Sequence, residues 1–297
     1  MMYKKYFLVL VGWQFFWAQD PAPPATYAFE EDEAYIKKKA SLLRLIEQNS
    51  RLEIIDSLTQ WASLHKDWET VLDYAPQALT LSPTAQRYYR WGGAAGFRSL
   101  EVPRILALPY VDKMKQGFIK AHQLAPNDVF ILRALIETYT VLPSLLGGDI
   151  DLALEKAEVL SAINPLEGFM AKGYIAENTN QPLEAKKHYQ KAFALLSKLQ
   201  STGAWYWEAN RRELPYELGS VSARFQMEME AGKALLQHYL QIYNQKDTVP
   251  LAWVYYHLGA LAQMQRKPQE ALVYYKKAQQ RNPKLDGLTA RIKEVSP

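Results

Sequence analysis

Residues 252–283 place small, aromatic and proline residues at spacings that suit two tightly packed helices. The run reads AWVYYHLGALAQMQRKPQEALVYYKKAQQRNP. Gly259 and Ala271 stand 12 positions apart, and Tyr275, Ala278 and Pro283 follow. Gly259 and Ala271 have almost no side chain, so the helices carrying them can approach where they cross. Tyr275 fills the remaining gap with a ring. Ala278 leaves room for a following helix, and Pro283 lacks an N–H and ends the second helix. One such hairpin cannot bury its apolar face alone, so further copies should precede it.

This order of residues resembles the tetratricopeptide repeat, a helix–turn–helix unit of about 34 residues. The resemblance implies a helix A and a helix B in each unit. The helix B pattern recurs upstream at Ala153, Leu160 and Pro165, at Met114, Ala121 and Pro126, and at Val71, Ala78 and Pro83. Ala185, Tyr189 and Ala192 repeat it with Ser197 in place of proline. Leu218-Gly219 and Gly173 mark two more A helices, with Ala231 and Ala185 at the right distance. Units therefore fall near 51–83, 84–126, 127–165, 166–198, 212–246 and 251–283. A helix from the acidic run Glu30–Glu33 to about Asn49 precedes them, and Lys284–Val295 reads as a closing helix. The expected fold is all-α, an α-solenoid of about six such units over residues 30–297 with flanking capping helices.

Three places break the period. The chain between Gly93 and Met114 has extra residues, including Pro103 and Pro109. Pro143–Asp149 is longer than the usual turn, with Gly147 and Gly148 for unusual backbone angles and Asp149 as a helix cap. Leu199–Arg211 carries Trp205, Tyr206 and Trp207. Insertions in repeat arrays often gather on one face and carry binding.

The runs RYYRWGGAAGFRS, KAHQLAPND and LIETYTVLPSLLGGD, between Arg87 and Pro165, resemble uncharacterised secreted bacterial repeat proteins. About 50 residues are also faintly similar to the regulator-of-microtubule-dynamics repeat domain. Neither resemblance brings a catalytic site.

The first residues are of another kind. Lys4 and Lys5 precede the apolar run Tyr6–Trp17, and Ala18-Gln19-Asp20 follows. That order suits a secretory signal over 1–19, with cleavage near Ala18. Phe16 stands where a small residue is expected, so an uncleaved anchor is the other reading. The proline-rich stretch 20–29 reads as an extended tether. The expected location is periplasmic or secreted, as for signals of Gram-negative type, with no membrane span in the mature chain.

Composition removes several chemistries. There is no cysteine, hence no disulfide and no thiolate nucleophile. The net charge of +4 is too small and scattered to argue for nucleic acid. No HExxH, GxSxG, GxGxxG or P-loop pattern occurs. Gly92–Gly96 is glycine-rich but lacks the Lys-Ser/Thr ending of a phosphate loop, and helix A needs small residues there. The five histidines fall in separate units without metal spacing. No catalytic residue, metal or cofactor is expected.

Helix A should line the binding face. Aligned on the glycine anchors, with Gly93 taken for the second unit, the inward positions are Arg87, Arg90, Phe97 and Arg98. Further on they are Arg133 and Glu137, then Met170, Tyr174 and Asn178, then Tyr216 and Arg224, then Trp253, Tyr256 and Met264. Arginine forks suit carboxylates, and rings supply anchoring area. Arg87, Arg90, Arg98, Arg133, Tyr174, Arg224 and Tyr256 are therefore the candidate ligand-binding residues of a non-catalytic scaffold for a protein or peptide. The competing reading pairs the arginines with neighbouring acids and packs the rings between units. An alternative function is small-ligand binding in a pocket near Trp205, Tyr206 and Trp207, as in transporter-associated helical proteins.

Overall fold

The computed structural model describes residues 33–201 and 211–296. The signal segment 1–19, the tether 20–29 and the aromatics Trp205, Tyr206 and Trp207 lie outside the described residues. The described elements are α1 (Glu33–Gln48), α2 (Leu52–Leu64), α3 (Trp68–Leu81), α4 (Ala85–Glu101), α5 (Arg104–Leu124), α6 (Val129–Val141), a 3-10 turn (Ser144–Leu146), α7 (Ile150–Ile163), α8 (Pro165–Asn178), α9 (Pro182–Ser201), α10 (Leu214–Phe225), α11 (Met229–Ile242), α12 (Leu251–Met264), α13 (Pro268–Arg281) and α14 (Leu288–Val295). The fold class is the expected one, all-α and built as a solenoid of helix hairpins. The six hairpins from α2/α3 to α12/α13 fall on the six sequence repeats.

The chain divides into two compact units, 33–188 and 189–296 among the described residues, with the boundary inside α9. The helix B packers Val71, Ala78, Met114, Ala121, Ala153, Leu160, Ala185, Tyr189, Ala192, Ala271, Tyr275 and Ala278 are sealed from solvent. Ala231 is not: it is exposed, and the neighbouring Gly232 takes the crossing instead, where an added Cβ would lie 2.3 Å from the Ser222 side chain. A Cβ added at Gly259 would lie 2.6 Å from the Tyr275 ring, so this glycine makes the crossing possible, as its spacing from Tyr275 implies.

Local rules set the helix ends. Ser82, Ala125, Asn164 and Asn282 each precede a proline and are extended, with φ of −156°, −143°, −145° and −148°. Proline crowds the residue before it out of the helical region, so each B helix stops there. Pro165 then occupies the first turn of α8, where its missing N–H costs nothing. Asp67, Thr84, Asp128, Asp149 and Asn164 accept from backbone N–H groups in the first turns of α3, α4, α6, α7 and α8. A turn not visible in the sequence also recurs. Lys66, Asn180 and Arg266 are left-handed (φ 60°, 62° and 58°) and join A to B helices in three hairpins. The following N–H bonds back five residues each time: Asp67 to Ala62, Gln181 to Ala176 and Lys267 to Ala262.

In the first irregular stretch the extra residues around Pro103 lengthen α4 and α5 to 17 and 21 residues, with Pro109 inside α5. The second stretch is a loop. Its 3-10 turn is held by Lys115 Nζ, which donates to the Leu146 carbonyl at 2.7 Å. Gly147 is left-handed at φ 92°, and a Cβ on Gly148 would lie 1.7 Å from the Leu142 carbonyl oxygen. The capping helix α1 is fastened by Asp67, which accepts from Tyr35 Oη at 2.5 Å and Lys39 Nζ at 2.6 Å.

Candidate functional site

In unit 33–188 the A helices carry charges that meet one repeat apart. Arg87 on α4 forks onto Asp56 on α2: Nε donates at 2.9 Å and Nη2 at 2.5 Å, while Nη1 reaches the Ser82 carbonyl at 2.7 Å. Asp56 raises the Arg87 pKa above its usual value. Arg133 on α6 donates to Glu167 on α8 at 3.0 Å and to Glu137 on its own helix at 3.1 Å, and all three are buried. Arg98 pairs with Glu69 of α3, and with Glu101 at 3.2 Å. The separations of 31 and 34 residues in the first two pairs are the repeat length itself.

Arg90 stands apart from these. Its polar contacts are a 3.3 Å bond from Nη1 to Thr59 Oγ1 and a 3.9 Å approach to Asp56, whose oxygens Arg87 already occupies. Burial holds its guanidinium below the usual pKa; Asp56 opposes this and Arg87 adds to it. Two cations thus share one anion.

Two adjacent glycines on α4 do different work. A Cβ added to Gly117 of α5 would lie 2.6 Å from the Gly92 Cα, so Gly92 sits at the α4–α5 crossing. A Cβ added to Gly93 would meet nothing within 4 Å. The crossing glycine is therefore Gly92, one position before the anchor assumed from the sequence. That shift rotates the register by about 100°. It turns Arg87 and Arg98 toward acids on α2 and α3, and leaves Gly93 over open space. Gly93 has no positive φ and no packing role, yet glycine inside a helix costs about 1 kcal/mol relative to alanine.

Tyr174, on α8, is buried and lines a shallow depression with Arg133, Ile136, Glu137 and Ala171 that leaves no room for a water molecule. Drug-sized ligands need about 300–1,000 Å³, so this opening is too small for one.

In unit 189–296 some of the charges are sealed. Arg211 pairs with Glu217, both nearly inaccessible. Arg212 Nη2 reaches Asp247 at 3.1 Å. Glu213 accepts from the Thr248 N–H at 2.9 Å and its hydroxyl at 2.7 Å, and burial raises its pKa. Arg224 Nη1 donates to Ser220 Oγ at 2.8 Å. Tyr256 is buried against the rings of Trp253 and His257, centroids 5.7 and 5.6 Å away. Burial, with Arg224 adding to it, pushes His257 down to about 3.

Among the described residues no cluster of three or more His, Asp or Glu could hold a metal ion, and no helix is long and apolar enough to cross a membrane. Sequence reading missed Asp56 and Glu167 as partners. The signal was available: an opposite charge one repeat away from each arginine.

A family model described as the tetratricopeptide repeat matches residues 252–285. Those residues are a tetratricopeptide repeat. The fold around them is shared with solved repeat structures at low identity. A tetratricopeptide repeat protein from Parabacteroides merdae aligns with a TM-score of 0.55 and 10% identity, over 88% of this chain and 92% of that one. A chain of the APC/C hetero-tetramer Cut9–Hcn1 gives 0.54 and 13%, over 88% of this chain and 46% of that one. Yeast Tom70 gives 0.51 and 12%, over 89% and 51%. The chain thus spans about half the length of the last two. A search of the curated proteins finds no match. In tetratricopeptide repeats, as in other stacked repeats, each unit contacts its neighbours and leaves an extended face for binding.

Proposed function

We propose that this chain is a non-catalytic scaffold that holds a protein or peptide partner against the A-helix face of unit 33–188. The observation that carries this reading is the surplus of positive charge between α2 and α4, where the partly exposed Arg87 and Arg90 share the single carboxylate of Asp56. The fold likeness to a chain of the Cut9–Hcn1 hetero-tetramer, an assembly of protein chains, agrees with it. The smallness of the opening beside Tyr174 weighs against a small ligand there. We place the scaffold in the periplasm or at the cell envelope on the strength of Lys4, Lys5 and the apolar run Tyr6–Trp17.

A photo-crosslinking residue tests the binding face. It is placed at the exposed Phe130, at the start of α6, or at the exposed Lys120 on α5. In envelope fractions a discrete protein adduct should form from position 130 and not from 120. Equal adducts from both positions, or none, would remove this reading. N-terminal sequencing of the fractionated protein tests the location. Recovery in the cytoplasmic fraction with residues 1–19 retained would refute it.

A further inference from the structure

We propose that Arg90 and Gly93 form an anion-reading point on α4, which takes a carboxylate of the partner on Arg90 while the partner's backbone crosses Gly93. The inference rests on the scaffold reading above and names the chemistry of its contact.

Three observations converge on one turn of helix. Arg90 is half-buried, so its charge has lost much of its water, and its only polar contacts are Thr59 Oγ1 and a distant Asp56. Asp56 is committed to the Arg87 fork and leaves an excess of one positive charge. A guanidinium presents five donors in a planar fork that matches a carboxylate. Three residues further along, hence on the same side of the helix, Gly93 opens onto free space. Among α4's glycines, Gly92 and Gly96 are explained by Met114 and Phe118. Gly93 has no such neighbour, and a bare helix backbone lets a chain approach more closely than any side chain would. The other candidate arginines of this unit differ: Arg98 and Arg133 each have two carboxylate partners, and Arg87 has a bidentate one.

A displayed library of random decapeptides, selected against the full chain, tests this. Selected peptides are resynthesised as free acids and as amides, and with each Asp or Glu replaced by Asn or Gln. Neutralising one carboxylate should weaken binding at least tenfold, and the amide arm tells a side-chain carboxylate from a terminal one. Arg90→Gln should cost the same factor and have no further effect on the neutralised peptide. Gly93→Leu should weaken binding at least tenfold without lowering Tm, which separates a blocked surface from a damaged fold. Selected peptides that ignore Arg90→Gln and Gly93→Leu would overturn this inference and leave the scaffold reading standing. A library that yields no binders would overturn both. Peptides displaced equally well by millimolar inorganic phosphate, with no dependence on their own carboxylates, would also overturn it.

Discussion

Helices α4 and α10 occupy the same place in their repeats and treat charge in opposite ways. Of the 17 residues of α4, five are buried, all of them small; of the 12 residues of α10, ten are buried. The A-helix charges of α4 meet acids on α2 and α3, and Arg90, partly covered, has no carboxylate of its own. Around α10 the charges Arg211 and Glu217 are enclosed with Tyr216 and His257, and Glu213 is partly buried beside them. The same hairpin can therefore present ionic groups for contact or use them to fix its interior. The decisive variable is how completely the helix is covered. A buried pair has lost its water and depends on its partner, whereas an exposed one falls back on solvent.

The largest test of that contrast removes one cation from each side. Arg211→Met strands Glu217 in the interior and should cost about 3–5 kcal/mol in chemical denaturation. Arg98→Met, whose partners are the exposed Glu69 and the partly exposed Glu101, should cost less, about 1 kcal/mol. Equal losses would erase the distinction between the two helices.

Gly117→Ala comes next. Its Cβ would strike the Gly92 backbone, and helix axes must separate to admit it, at about 1–3 kcal/mol. A Tm equal to wild type would show that the α4–α5 crossing is looser than the geometry states.

The third test uses acid. His257 is held neutral in the fold, at about 3, by burial and by Arg224. An unfolded histidine titrates near 6.5, so between these values the unfolded chain binds the extra proton. The stability from His257 is complete above about pH 6.5 and declines below it by about 1.4 kcal/mol per pH unit. Burial also shifts Glu213 up and His122 down. The quantity to measure is therefore the difference between wild type and His257→Gln from pH 7 to 4.5. A pH-independent difference would mean that α10 and α12 enclose His257 less completely than described. In unit 33–188, Asp67 acts lower on the scale. Burial opposes its charge, but bonds from Lys39, Tyr35 and Thr70 hold its carboxyl below the usual value. Its contribution is present above about pH 3.9 and is lost only as pH falls through the lowered value.

The smallest expected effect has the opposite sign. Gly93→Ala should raise stability by about 0.5–1 kcal/mol, because alanine is the better helix former and the space is open. A loss of stability would mean that Gly93 is constrained in the fold as Gly92 is.

Much of the fold was legible because stacked helix hairpins write their contacts into short spacings. Gly259 with Tyr275, the small residues of most B helices, the Asp149 cap and the prolines that end helices are all local or one hairpin apart. The candidate site was legible only in outline. Arg87, Arg90, Arg98 and Arg133 were visible as a set, but not which of them had a partner. That depends on Asp56, Glu69 and Glu167, which lie 29 to 34 residues away. The extra residues near Pro103 were visible as a break in the period, but not that they extend α5 with Pro109 inside it.

The sequence by itself determined the repeat length, the number of hairpins, their order and where most helices stop, since these follow from backbone rules and the size of single residues. The tertiary structure alone decided between Gly92 and Gly93. Neighbouring helix positions point about 100° apart, so two adjacent glycines look alike in the sequence and face different surroundings once α5 is in place. Crossing α5 at Gly92 turned Arg87 to Asp56 and left Gly93 bare beside Arg90.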